Sequence, residues 1–165
     1  VYNRLTRMQV RGLAALRSVE KHVHRCAKLI DLHANPVAAA GTSDHIYTAD
    51  AITPELAHLL ETMRALDQAL KDAKGTLLAG QSVARVGVAF ELSQMAWRQW
   101  CDKQLASDVH SVPEVMRVQW EGAALRVQAA RAGLNQILFK YNEAIAQFPA
   151  RLLVTVMGFK PAGLM

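Results

Sequence analysis

Three observations predict an all-α fold, specifically an elongated up-and-down four-helix bundle with a long first helix, a long last helix and a short C-terminal tail. Apolar residues recur at steps of three and four over four long stretches, the spacing that gathers side chains on one helix face. Hydrophobic residues make up 52% of the chain but aromatics only 6%, so the apolar content is mostly Ala, Leu and Val, as in packed helices. Glycines and prolines sit mainly at the breaks, and no alternating run with hairpin residues suggests a strand. At 165 residues the chain is read as one domain, 1–165, large enough for a self-sufficient core.

The last helix organises the others. Over residues 111–149, Trp120, Ala123, Val127, Ala130, Leu134, Leu138, Tyr141, Ile145 and Phe148 share one face. At about 1.5 Å per residue, such a helix is on the order of 55 Å long. Ser111 and Glu114 have the spacing of a capping box at its start, and Phe148-Pro149 disrupts its end. In chain order, residues 2–33 form the first helix, with a seam of Leu5, Met8, Gly12, Leu16, Val19, Val23, Cys26 and Ile30. Its remainder is basic, with Arg4, Arg7, Arg11, Arg17, Lys21, Arg25 and Lys28. Asn35-Pro36 ends it, and residues 37–50 make the longest loop. The second helix opens at Thr53-Pro54-Glu55, with a capping hydroxyl, proline at the first position and an acid at the positive end of the helix dipole. Leu56, Leu59, Met63, Leu66, Leu70 and Ala73 form its seam. Gly75 and Gly80 mark the next break, and residues 81–106 form the third helix along Val83, Val86, Phe90, Trp97 and Cys101. Gly87 weakens that helix from within.

The net charge of +5 and a pI near 9.5 raise attraction to nucleic acid or to an anionic membrane. The basic residues are scattered, however, and Trp97, Trp100 and Trp120 fit core stripes better than a base-stacking platform. Nucleic acid is thus the disfavoured partner. No uncharged apolar run approaches the roughly 20 residues of a membrane span. The chain opens on Val1 and closes on apolar Met165, and its native amino terminus is expected upstream. Cys26 and Cys101 are read as free buried thiols.

The sequence holds little that points to chemistry. Glu55 and His58 have the Glu-x-x-His spacing of di-metal bundles, but one copy without further inward carboxylates is better explained by the first-turn role of Glu55. His22 and His24 point to different sides of a helix, and all six histidines are placed at exposed or rim positions. No nucleophile lies near a recognisable base, and no phosphate loop or zinc-spaced set is present. The expectation is a protein that is not an enzyme, with no catalytic residues, metal or cofactor. Arg131, Asn135 and Asn142 fall on one edge of the last helix beside the seam. They are either a ligand-binding stripe or, the preferred reading, groups that bond neighbouring helix ends and fix register.

The order Arg126-Val127-Gln128-Ala129-Ala130-Arg131, Asn135, Tyr141-Asn142, Phe148-Pro149 and Gly158-Phe159-Lys160-Pro161 resembles the carboxyl-terminal signature of the LemA family. Tyr2-Asn3-Arg4-Leu5, Val19-Glu20, Arg25 and Leu29-Ile30 resemble its first helix more loosely. Asp31 and Ala124 depart from the family's usual proline and acid. The resemblance implies a four-helix bacterial domain preceded by one membrane-spanning helix, in the inner membrane, with no established enzymatic activity. Its partner would be a membrane-associated protein, and the matching residues, Arg131, Asn135, Tyr141, Asn142, Phe148, Pro149, Gly158 and Phe159, would specify the fold. The isolated domain is expected to be a monomer, because four seams can close on each other. The apolar tail, residues 151–165, is expected to dock between the last helix and a neighbour, with Gly158 turning Phe159 inward, in preference to lying on lipid.

Overall fold

The structure, a computed structural model, describes residues 2–34, 53–106, 112–147 and 162–165. Four helices account for nearly all of these: α1 (Tyr2–Ala34), α2 (Pro54–Gly75), α3 (Gly80–Ala106) and α4 (Glu114–Ala146). They run up and down in turn, with α1 lying closest to α4 and α2 closest to α3. Both α1 and α4 have 33 residues, about 50 Å at the helical rise. Among the described residues the predicted seams are what the bundle buries, with Met8 and Ala130 only partly covered. Between the two close pairs the wider space is filled by indoles. Trp97 and Trp120 stack with centroids 4.1 Å apart, and Trp100 tilts against Trp97 at 5.4 Å. All three are buried, so their faces are core surfaces that no base can reach.

Helix ends follow local chemistry in one case out of three. At α2, Thr53 Oγ1 accepts the Leu56 N–H at 3.3 Å, with Pro54 and Glu55 in the first turn. At α4 the expected capping box does not form: the cap position is held by Pro113, in extended backbone and without a side-chain cap bond. Glu114 therefore opens the helix instead of occupying its third position. The extended entry delivers Val112 to the core, which outweighs one cap bond. The α2–α3 break also differs from expectation. Gly75 is the last residue of α2, and the left-handed residues are Leu77 (φ 50°) and Leu78 (φ 68°). The Leu77 N–H donates to Lys74 O and the Leu78 N–H to Ala73 O, which together make a Schellman cap with leucine where glycine is usual. Burial explains Leu78: its side chain is 2% exposed and lies over Gly12, where a Cβ would sit 2.6 Å from Leu78 Cδ1.

Side chains also tie α1 to α2. Lys74 Nζ donates to both oxygens of Glu20 at 2.7 and 2.8 Å, and Asp67 accepts from Lys71 and pairs with His24. Pairs so open to solvent contribute little each. The two cysteines are free and buried. Burial pushes the Cys26 thiol up to about 12 and that of Cys101 to about 11, so both remain protonated thiols at neutral pH. Among the described residues, no helix is long and apolar enough to cross a membrane.

Candidate functional site

The polar edge of α4 faces the four residues 162–165, which lie against α3 and α4 at the end of the bundle that also holds the α2–α3 turn. Asn142 uses both ends of its amide on one residue: Nδ2 donates to Ala162 O at 2.6 Å and Oδ1 accepts the Ala162 N–H at 2.8 Å. Asn135 repeats the pattern on Met165, at 3.1 and 2.7 Å. Arg131 closes the far end, with Nε donating to Met165 O at 3.0 Å and Nη1 to Glu91 Oε1 of α3 at 2.7 Å. Every one of these bonds to the tail is to main chain.

Geometry explains the spacing. Asn135 and Asn142 are two helical turns apart, about 10.5 Å at the α-helical rise. Three residues of threefold extended chain advance about 9.3 Å and present the same side to a neighbour at positions i and i+3. Residues 162 and 165 fit that pair, since both are buried while Leu164 between them is half exposed. A flat strand would alternate and turn residue 165 away.

The opposite wall is α3, and its contribution is missing side chains. Gly80 and Gly87 are seven apart, as the two asparagines are. A Cβ on Gly87 would sit 2.9 Å from the Met165 carbonyl carbon, and one on Gly80 would sit 3.4 Å from Gly163 N. On Gly163 itself a Cβ would collide with the main chain of Gly80. Ala79 and Ala162 pair as an isolated antiparallel bridge. Two glycines on one helix thus face two asparagines on the other, and the extended segment lies in the slot between them.

Arg131, Asn135 and Asn142 are thereby brought together, but on the tail and not on neighbouring helix ends, which corrects the preferred reading of the sequence. Neighbouring helices satisfy their own backbone, whereas an extended segment arrives with N–H and C=O groups that need partners. No known family model, curated protein or solved structure matches this chain. Tyr141 is separate from this clasp, in which Arg131, Asn135 and Asn142 hold residues 162–165. It is buried in the seam, and that burial raises its hydroxyl above the ordinary tyrosine range. Phe148, Pro149, Gly158 and Phe159 lie outside the described residues, as does the docking of Phe159. Glu55 faces Lys103 at 3.8 Å, and among the described residues no three metal-ligating side chains converge. His22 is half-buried, at the rim as expected, with its Nδ1 turned inward and without a partner among the described residues. The sequence reading missed Gly80, Gly87 and Glu91 as partners of the polar edge. The available signal was the shared seven-residue spacing of the two glycines and the two asparagines.

Proposed function

We propose that this chain is a non-enzymatic helical interaction or scaffold domain of LemA type, held at a bacterial inner membrane by the amino-terminal span that the resemblance implies. The observation that carries the reading is the clasp. The polar side chains that stand out in the sequence are committed to the main chain of residues 162–165, and two of them take both the donor and the acceptor of one residue. Groups so occupied hold a chain segment in place; they are not poised on a substrate. The Trp97–Trp120 stack is buried in the core and offers no face to a base, which supports the reading of nucleic acid as the disfavoured partner.

Affinity capture from detergent-solubilised membranes tests this. A specific partner retained in stoichiometric amount and insensitive to salt is the expected result. Robust hydrolytic turnover in a blind substrate screen contradicts the non-enzymatic reading. Retention on mixed DNA or RNA that falls steeply with salt favours the competing basic nucleic-acid binder.

A further inference from the structure

A second feature lies away from the clasp, between the carboxyl-terminal half of α1 and the amino-terminal half of α4. A cleft of about 530 Å³ opens there, within the range of small-molecule sites. Gly12 of α1 meets Leu138 of α4 while residues 25–32 share the cleft with residues 118–126, so the two helices run antiparallel with Arg25 beside Arg126 and Leu32 across from Val118. The cleft is therefore polarised along its length. Arg25 and Arg126 lie at one end, Leu32 and Val118 with Gln119 beside them line the other, and Lys28, Leu29 and Gly122 lie between. Leu32 and Val118 are 45% and 60% exposed, an apolar end left open to water. At Gly122 a Cβ would meet nothing within 4 Å, which leaves a notch in the floor.

The charges at the basic end are uncompensated. Among the described residues, Arg25, Lys28 and Arg126 make no ion pair, while the nearby acids are turned elsewhere. Glu20 holds Lys74 and Glu114 is beside Arg117. Asp31 lines the cleft between α1 and α2, and Glu121 acts on Cys101 of α3. The field is felt by His22, whose imidazole is held below its ordinary range first by burial and then by Arg25, Arg126 and Lys21.

We propose that this cleft binds a single-chain anionic amphiphile, its carboxylate or phosphate head on Arg25, Lys28 and Arg126 and its apolar chain along Leu29, Gly122, Leu32 and Val118. The cations match the head, and the apolar end about 10 Å further along the helices matches the chain. The notch at Gly122 suits a polymethylene chain; an acidic helix would require a broad continuous groove with apolar anchors at every turn.

The test is titration of the protein with dodecanoate below its micelle concentration, followed by calorimetry and by NMR of the His22 ring. Saturable one-to-one binding is expected, with a rise in the His22 pKa as the head group neutralises Arg25 and Arg126. Butanoate, which has the head alone, and dodecyltrimethylammonium, which has the chain with the wrong charge, should bind at least about tenfold more weakly. Arg126→Gln should weaken dodecanoate by on the order of tenfold. Gly122→Leu should abolish binding while leaving thermal unfolding unchanged or raised, because it replaces a helical glycine and meets open space. Equal binding of the cationic amphiphile, or undiminished binding by Gly122→Leu, overturns the proposal. So does a response of these residues to anionic phospholipid vesicles without one to monomeric dodecanoate, which would make the cleft a bilayer contact.

Discussion

Asn142 illustrates how one side chain can hold a segment that has no helix or sheet of its own. Its carboxamide supplies a donor and an acceptor with the spacing of a peptide group, so Ala162 is bonded as a neighbouring strand would bond it. Asn142→Ala leaves the Ala162 N–H and C=O without these partners in a half-buried place, a cost of about 1–3 kcal/mol. The urea midpoint should fall accordingly, with the slope of the transition unchanged. His22 makes a different prediction. Its folded pKa lies below the ordinary value of about 6.5, because of burial and the cations Arg25, Arg126 and Lys21. Between the folded and unfolded values the unfolded chain binds more protons, so this contribution is complete above about pH 6.5 and is lost as pH falls through the folded value. Asp67, lowered chiefly by its hydrogen bond from Lys71, acts with the same sign but only below the usual carboxylate range. Urea midpoints compared at about pH 7.5 and about pH 5.5 should show the loss, and His22→Gln should reduce the difference.

At the scale of elements, the α2–α3 turn is where the described residues hold backbone strain. Leu77 occupies the left-handed cap position, which costs an L-residue roughly 1–2 kcal/mol, and its side chain is 57% exposed, so nothing buried compensates. Leu77→Gly should stabilise the bundle by about 0.5–1 kcal/mol after the added freedom of the unfolded chain is allowed for. A higher midpoint in thermal or urea unfolding is the check. Leu78 differs, because its side chain packs over Gly12, and the same change there would remove core. The helices themselves were legible in the sequence, since Leu56 to Ala73 on α2 and Trp120 to Ile145 on α4 write their buried faces in three-four spacing. The left-handed leucines were not legible, because glycine is the residue that announces such a turn and the turn places its strain elsewhere. The capping box at Ser111 failed for a related reason: local spacing favours it, but burial of Val112 decides where α4 begins. The clasp was half legible. Arg131, Asn135 and Asn142 stood out as one edge, but their pairing with Gly80, Gly87 and Glu91 depends on the register between two helices, which no single stretch encodes.

For the whole molecule, the arrangement of α1 against α4 and α2 against α3, with the tryptophan stack between the pairs, closes the four seams within one chain. Light scattering of the isolated domain should therefore give a monomer at all accessible concentrations. A concentration-independent dimer would mean that an exposed row such as Val88, Leu92 and Met95 on α3 is covered by a second copy. The clasp joins scales, because two asparagines and two glycines turn residues 162–165 into a tie between α3 and α4. Amide hydrogen exchange in the tail tests that account most directly. The Ala162 and Met165 amides should exchange about tenfold or more slowly than that of Leu164, and both should lose this protection in the Asn135→Ala/Asn142→Ala double variant. Equal, rapid exchange across residues 162–165 in the unmodified chain, or protection that survives the double substitution, would contradict it.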